Sequence, residues 1–159
     1  MKWLWISALV IILDQLTKYQ ASQQLILHEP VAIISGFNLT LMHNTGAAFS
    51  FLSQAGGWQR WFFIGLGSVI GIAIIVWMFK LPAEKRWLSC ALALILGGAF
   101  GNLWDRVMLG YVIDFIEVYY HGWYWPAFNI ADSAITVGAV MLIIDAFWFD
   151  DANVTTQTR

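Results

Sequence analysis

Two aspartates stand where an acidic side chain is costly. Asp114 lies between Ile113 and Phe115 in a run rich in β-branched and aromatic residues, and Asp132 lies just inside the apolar stretch that begins at Ile130. An ionisable group in such surroundings is a functional hypothesis by default. Two carboxylates brought together cannot both ionise easily, so one keeps a proton while the other stays charged. Such a pair can deprotonate a water and protonate a departing amine, which is the chemistry of an aspartic peptidase.

Other polar residues cluster around these two in the predicted layering. Asp14 and Lys18 fall on the second half of a first apolar segment. Asn44 precedes Thr45-Gly46, Asn102, Asp105 and Arg106 close a third apolar segment, and Asn129 precedes the fourth. Several have purely structural readings. The i, i+4 spacing of Asp14 and Lys18 suits a simple ion pair. Arg106 could snorkel to headgroups, and Gly97 and Gly101 form a small-xxx-small pair suited to close helix packing. Asn129 and Asp132 could be a helix cap, with Asn129 as N-cap and Asp132 at the third position. The capping reading does not cover Asp114. If Asp132 opens a helix, the helix dipole favours its anion by about 0.3–1 kcal/mol. Asp132 is therefore expected to be the ionised base and Asp114 the acid.

Other chemistries fail on inventory. His28, His43 and His121 are scattered without companion cysteines or a His-Glu-x-x-His run, so no metal site is expected. Ser133 lacks a nearby histidine and a Gly-x-Ser-x-Gly elbow. No Walker-type or Gly-x-Gly-x-x-Gly loop occurs, and no cofactor is expected. A net charge of −2 argues against nucleic acid as a partner. Cys90 is the only cysteine, which forbids an intrachain disulfide, and its apolar setting predicts a buried small hydrophobe.

The elements that must position these residues are membrane helices. Of the 159 residues, 60% are hydrophobic and 11% charged, against about 25% charged in soluble proteins. Apolar runs predict spans over Trp3–Ala21, Trp61–Phe79, Trp87–Trp104 and Ile130–Phe149. The first is the weakest, because Asp14 and Lys18 can sit at membrane depth only against protein or a water-filled cavity. It has no small-x-small cleavage site and reads as a retained helix. Lys80, Lys85 and Arg86 flank the connection between spans two and three, which places that connection and both termini in the cytoplasm. Ten tryptophans fall near predicted span ends or in outer loops, as an aromatic belt requires. Phe37–Met42 and Tyr111–Val118 read as extended segments, predicting a small sheet on the outer membrane surface with Asp114 on one strand. The expected architecture is an all-α membrane bundle of four transmembrane helices with that sheet, forming one membrane-embedded domain over 1–159.

Five blocks carry a family resemblance: Asp14-Gln15-Leu16-Thr17-Lys18, Asn44-Thr45-Gly46-Ala47-Ala48-Phe49, Gly97-Gly98-Ala99-Phe100-Gly101-Asn102-Leu103-Trp104-Asp105-Arg106, Val112-Ile113-Asp114-Phe115 and Phe128-Asn129-Ile130-Ala131-Asp132-Ser133. Over almost its whole length the chain resembles bacterial lipoprotein signal peptidase (signal peptidase II). The resemblance implies an aspartyl endopeptidase of the bacterial cytoplasmic membrane. Its substrates would be prolipoproteins, lipobox signal peptides cut on the N-terminal side of a diacylglyceryl-cysteine, and membrane lipids would be its other partners. The catalytic pair would be Asp114 and Asp132. The supporting or substrate-binding set would be Asp14, Lys18, Asn44, Gly46, Gly98, Asn102, Arg106, Asn129 and Ser133. Phe100 and Trp104 look bulkier than the family pattern, and the tail after Phe149 matches nothing. The substrate's acyl chains would keep the scissile bond near the membrane–water boundary, with the active site near the outer face. Residues 30–60 are expected to cover it from the aqueous side.

Overall fold

A computed structural model describes residues 2–46 and 57–148. Four helices and four strands follow in the order α1 (Leu4–Gln24), β1 (Pro30–Ile34), β2 (Phe37–Asn44), α2 (Trp58–Lys80), α3 (Arg86–Met108), β3 (Val112–Tyr120), β4 (Trp123–Tyr124) and α4 (Ile130–Trp148). The helices start and stop where local chemistry requires. Gly57, at φ +97°, turns the chain into α2. Leu81 ends that helix in an extended conformation, as the ring of the following Pro82 demands. Gly110, at φ +89°, closes α3, and the amides of Leu109 and Gly110 both donate to the Asp105 carbonyl, satisfying a backbone group the helix end leaves free.

α2, α3 and α4 are each long and apolar enough to cross a membrane by length and composition. The 21 residues of α1 would also reach about 32 Å, but its second half carries the buried pair Asp14 and Lys18, so its composition alone does not qualify it. α3 is the central helix, packed against α1, α2 and α4. Its Leu88, Leu92 and Leu96 form a core with Ile74 of α2, flanked by Leu4 of α1 and Leu142 of α4. The outward faces of the other helices are apolar and exposed, as at Val69, Ile72, Val137 and Phe147, which suits lipid as their solvent.

Small residues set how closely the helices approach. A Cβ on Gly97 would lie 2.8 Å from the Val10 Cβ and 2.9 Å from the Ser7 backbone in α1. One on Gly98 would run into the Ala131 carbonyl and lie 2.7 Å from Ile135 Cγ1 in α4. Gly138 returns the arrangement from α4, with Ala91 and Ile95 of α3 against it. The expected packing role of Gly97 and Gly101 therefore extends to Gly98, facing a different helix. Cys90 is half-buried rather than buried; it follows Ser89 and precedes Ala91, both buried, and the turn of the helix carries it to the rim.

The strands form one antiparallel sheet in the order β1-β2-β3-β4. Both expected extended segments are present and longer than foreseen, with β1 and β4 added at the edges. Ala21 near the C-terminal end of α1 packs with Leu41 of β2 and with Ile113 and Phe115 of β3, joined by Leu25, Leu39 and Ile130. That contact fixes β3 over the ends of α1 and α4. Met42 pairs with Asp114 and Asn44 with Val112 across a bulge between Leu39 and Met42. Of the block Asn44–Phe49, residues 47–49 lie outside the described residues, as do most of 45–60 and the tail from 149.

Candidate active site

The site grows from the first turn of α4. A helix start leaves four backbone amides without intrahelical partners, and here side chains of α1 and of the α4 cap meet two of them. The Ala131 amide donates to Asp14 Oδ1 of α1 at 2.9 Å. The Asp132 amide donates to Asn129 Oδ1 at 2.9 Å, and the Asn129 amide donates back to Asp132 Oδ2 at 3.3 Å. This reciprocal pair is a capping box with Asp in the Glu position, so the capping expectation for Asn129 and Asp132 holds. Ser133 belongs to the same turn, its hydroxyl donating to the Asn129 carbonyl at 2.9 Å.

Capping leaves the other oxygen of Asp132 facing α3, where Asn102 Nδ2 donates to Oδ1 at 2.7 Å. Asp114 enters from β3 and is 2% exposed. Its Oδ1 accepts from Asn129 Nδ2 at 2.7 Å and its Oδ2 from Asn44 Nδ2 of β2 at 3.0 Å. Asn129 also donates to Asn102 Oδ1 at 3.1 Å. The two carboxylates are thus joined through the side chains of Asn129 and Asn102. Burial pushes the Asp114 carboxyl up to about 7; the neighbouring Asp132 carboxylate adds to the rise, while hydrogen bonding from Asn44 opposes it. A carboxyl in such a position carries a proton near neutrality.

Behind Asn102 lies a buried ionic cluster. Lys18 Nζ is 2.7 Å from Asp14 Oδ2, 2.9 Å from Asp105 Oδ2, and donates to Asn102 Oδ1 at 3.0 Å. Its three protons therefore have three acceptors. Asp105 Oδ2 also accepts the Ile113 amide at 3.1 Å, which ties the strand carrying Asp114 to α3. Gln15 Nε2 lies between the acids, 2.9 Å from Asp105 Oδ1 and 3.2 Å from Asp14 Oδ2. Asp105 and Gln15 were absent from the expected site set. Both lie inside the blocks that carry the resemblance, but their pairing runs between α1 and α3 and leaves no spacing signal on either helix.

Arg106 sits beside the pair without snorkelling. Its Nη2 donates to the Gly46 carbonyl at 2.9 Å, and the guanidinium lies 5.0 Å from the Phe63 ring centre. Its buried Nε has no hydrogen-bond partner among the described residues. Gly46 is held from the other side as well, its amide donating to Asn44 Oδ1 at 3.0 Å. Of the eleven expected residues, Asp114, Asp132, Asn44, Gly46, Asn102, Arg106 and Asn129 converge directly. Asp14 and Lys18 stand one layer behind, and Gly98 and Ser133 serve helix packing and the α4 cap. Among the described residues no group of three or more His, Cys, Asp or Glu side chains is placed to hold a metal ion. A cavity of about 370 Å³ lined by Lys2, Trp3, Met78 and Leu81 lies at the far end of the bundle, away from both carboxylates.

The model of the family described as Signal peptidase (SPase) II matches residues 6–148. A lipoprotein signal peptidase of Teredinibacter turnerae is 55% identical over 148 residues, covering 93% of this chain and 88% of its own. One from Acinetobacter baumannii is 54% identical, with 93% and 84% covered. Among solved structures, a bacterial membrane enzyme determined by the in meso method at 2.3 Å resolution superposes with a TM-score of 0.82 at 35% identity, covering 93% of this chain and 88% of that one.

Proposed function

Because the chain belongs to the signal peptidase II family, we propose that it is an aspartyl endopeptidase that removes the signal peptide from diacylglyceryl-modified prolipoproteins, cutting on the N-terminal side of the modified cysteine. It is an integral membrane protein. The observation that carries the aspartyl reading is the pair itself: two acidic side chains bridged by Asn129 and Asn102, one of them expected to hold a proton near neutral pH.

The roles follow from the surroundings of each carboxyl. Asp132 accepts the Asn129 amide and the Asn102 side chain at the start of α4, a setting that favours the anion. It takes a proton from water, whose oxygen attacks the scissile carbonyl. Asp114, protonated, gives its proton to the departing nitrogen as the C–N bond breaks. Charge develops on the carbonyl oxygen between these steps. The guanidinium of Arg106, whose Nε has no partner among the described residues, is the donor available to that oxygen or to a neighbouring peptide carbonyl. Peptide groups in lipid have no water to bond, and Asn44 and Asn129 can serve them too.

In the membrane, α1 is taken as a fourth span, because Lys18 is matched internally by Asp14, Asp105 and Asn102 and so meets no lipid. The whole chain, 1–159, then acts as one membrane-embedded domain in the bacterial inner membrane. Both termini and the basic α2–α3 connection are cytoplasmic, and the carboxylate pair lies near the outer face, where acyl chains of the substrate cysteine would be anchored. The decisive assay incubates the purified protein with a diacylglyceryl-modified prolipoprotein and follows the released signal peptide. The intact chain is expected to cleave, and Asp114→Asn or Asp132→Asn to lose at least about 100-fold in rate. Undiminished cleavage by either variant removes that residue from the mechanism.

A further inference from the structure

The hairpin between β3 and β4 presents aromatic surface that the bundle leaves open. Its tip runs Tyr119-Tyr120-His121-Gly122-Trp123-Tyr124-Trp125, without an acidic or permanently basic side chain. Tyr120 is 76% exposed and Trp123 84%. This exposure does not come from a frayed end. Tyr119 pairs with Tyr124 and Tyr120 with Trp123, the Tyr119 and Tyr124 rings stack at 5.2 Å, and the Trp125 amide donates to the Val118 carbonyl at 2.8 Å. The turn residues His121 and Gly122 both have positive φ, +46° and +83°, as a tight two-residue hairpin requires. A rigid hairpin in water would show polar side chains at such a tip. Tyrosine and tryptophan, with an apolar body and one polar group, instead match the headgroup layer of a bilayer.

Neighbouring surfaces continue the pattern. At the end of α3, immediately before β3, Trp104, Val107, Met108 and Leu109 are exposed. At the opposite edge of the sheet, β1 exposes Val31, Ile33 and Ile34 and has no charged residue. Both edges of the sheet are therefore apolar, the arrangement expected of a sheet lying along a lipid interface rather than standing in water. Natural edge strands facing water are blunted by charge.

We propose that the β3–β4 hairpin is an interfacial anchor that seats in the headgroup layer of the outer leaflet and thereby sets the depth of Asp114. Asp114 and Tyr120 lie on one strand, six residues or about 20 Å apart. The strand is pinned at its start by the bond from the Ile113 amide to Asp105, so the height of the hairpin fixes its tilt. The depth-setting half of the proposal rests on the peptidase reading above; the anchor half does not.

The test uses the full chain with Cys90→Ser and a single introduced cysteine, Trp123→Cys, labelled with bimane, an apolar ring probe. The protein is placed in nanodiscs of phosphatidylcholine and phosphatidylglycerol, with Ala83→Cys in the α2–α3 connection as an aqueous control. The anchor predicts blue-shifted emission at 123, quenching by lipids carrying a nitroxide near the headgroup end of the acyl chain, and protection from iodide. Emission and iodide quenching equal to those at 83 overturn it. In a second arm, Tyr120→Ser with Trp123→Ser is expected to lower cleavage of a diacylglyceryl-modified prolipoprotein several-fold in bilayers and leave it unchanged in detergent micelles. Equal loss in both media, or none in either, overturns the depth-setting half. Absence of cleavage by the intact chain would instead refute the peptidase reading, leaving the probe result to decide the anchor.

Discussion

Among single residues, Asp114 and Asp132 differ in what holds their carboxyl groups. Asp132 closes a capping box and so helps to start α4, whereas the hydrogen bonds to Asp114 from the described residues come from side chains, Asn44 and Asn129. That contrast gives a pH signature. The Asp114 carboxyl is raised to about 7 by burial and then by Asp132, against about 3.9 in an unfolded chain. Between those values the folded protein holds a proton that the unfolded chain has lost. This group's contribution to stability is therefore complete below about pH 4 and is lost as pH rises through about 7. Asp114→Asn should flatten that part of the pH dependence of the thermal unfolding midpoint, measured in detergent. If Asp114 is the acid in catalysis, kcat/KM should fall above about pH 7 by up to tenfold per unit. A profile rising steadily through that range would assign the proton elsewhere.

At the scale of elements, α3 is the helix on which the site depends, and two kinds of contact hold it. Gly98 lets α4 approach until its first turn lies against α3. Gly98→Ala would press a methyl group into the Ala131 carbonyl, one residue from Asp132. A loss of about 1–3 kcal/mol is expected from overpacking, read as a lower unfolding midpoint, together with a fall in cleavage rate because Asp132 shifts with its helix. Lys18 supplies the second kind of contact, tying α1 to α3 through Asp105 and Asn102. Lys18→Met would leave Asp14 and Asp105 buried without their cation, at a cost of about 3–5 kcal/mol. The variant should unfold earlier in a thermal scan, and replacing both carboxylates by amides as well should restore part of the loss. Much of this level was readable beforehand: glycine spacing predicted close packing, and the i, i+4 pairing of Asp14 with Lys18 is present. What spacing along one helix could not reveal was the third member, Asp105, because the pairing runs between helices.

At the level of the whole molecule, the orientation proposed for the membrane rests on Lys80, Lys85 and Arg86 beside the α2–α3 connection. In intact cells, with Cys90 replaced by serine, a membrane-impermeant thiol reagent should label Glu29→Cys before β1 but not Ala83→Cys; the reverse pattern would invert the proposed topology. The order of amino acids was enough for the membrane setting, the three apolar spans of α2, α3 and α4, two of the four strands and the candidate carboxylates. Those rest on composition and local periodicity, which neighbouring residues express without reference to distant ones. The packed fold was needed to see that Asn129 and Asn102 join the two acids, that Gly98 and Ser133 serve packing and capping, and that Gln15 and Asp105 complete the cluster behind them. The reason is physical: a hydrogen bond between residues remote in sequence leaves no periodic trace, and the partners of a buried polar group are chosen by which helices and strands pack together.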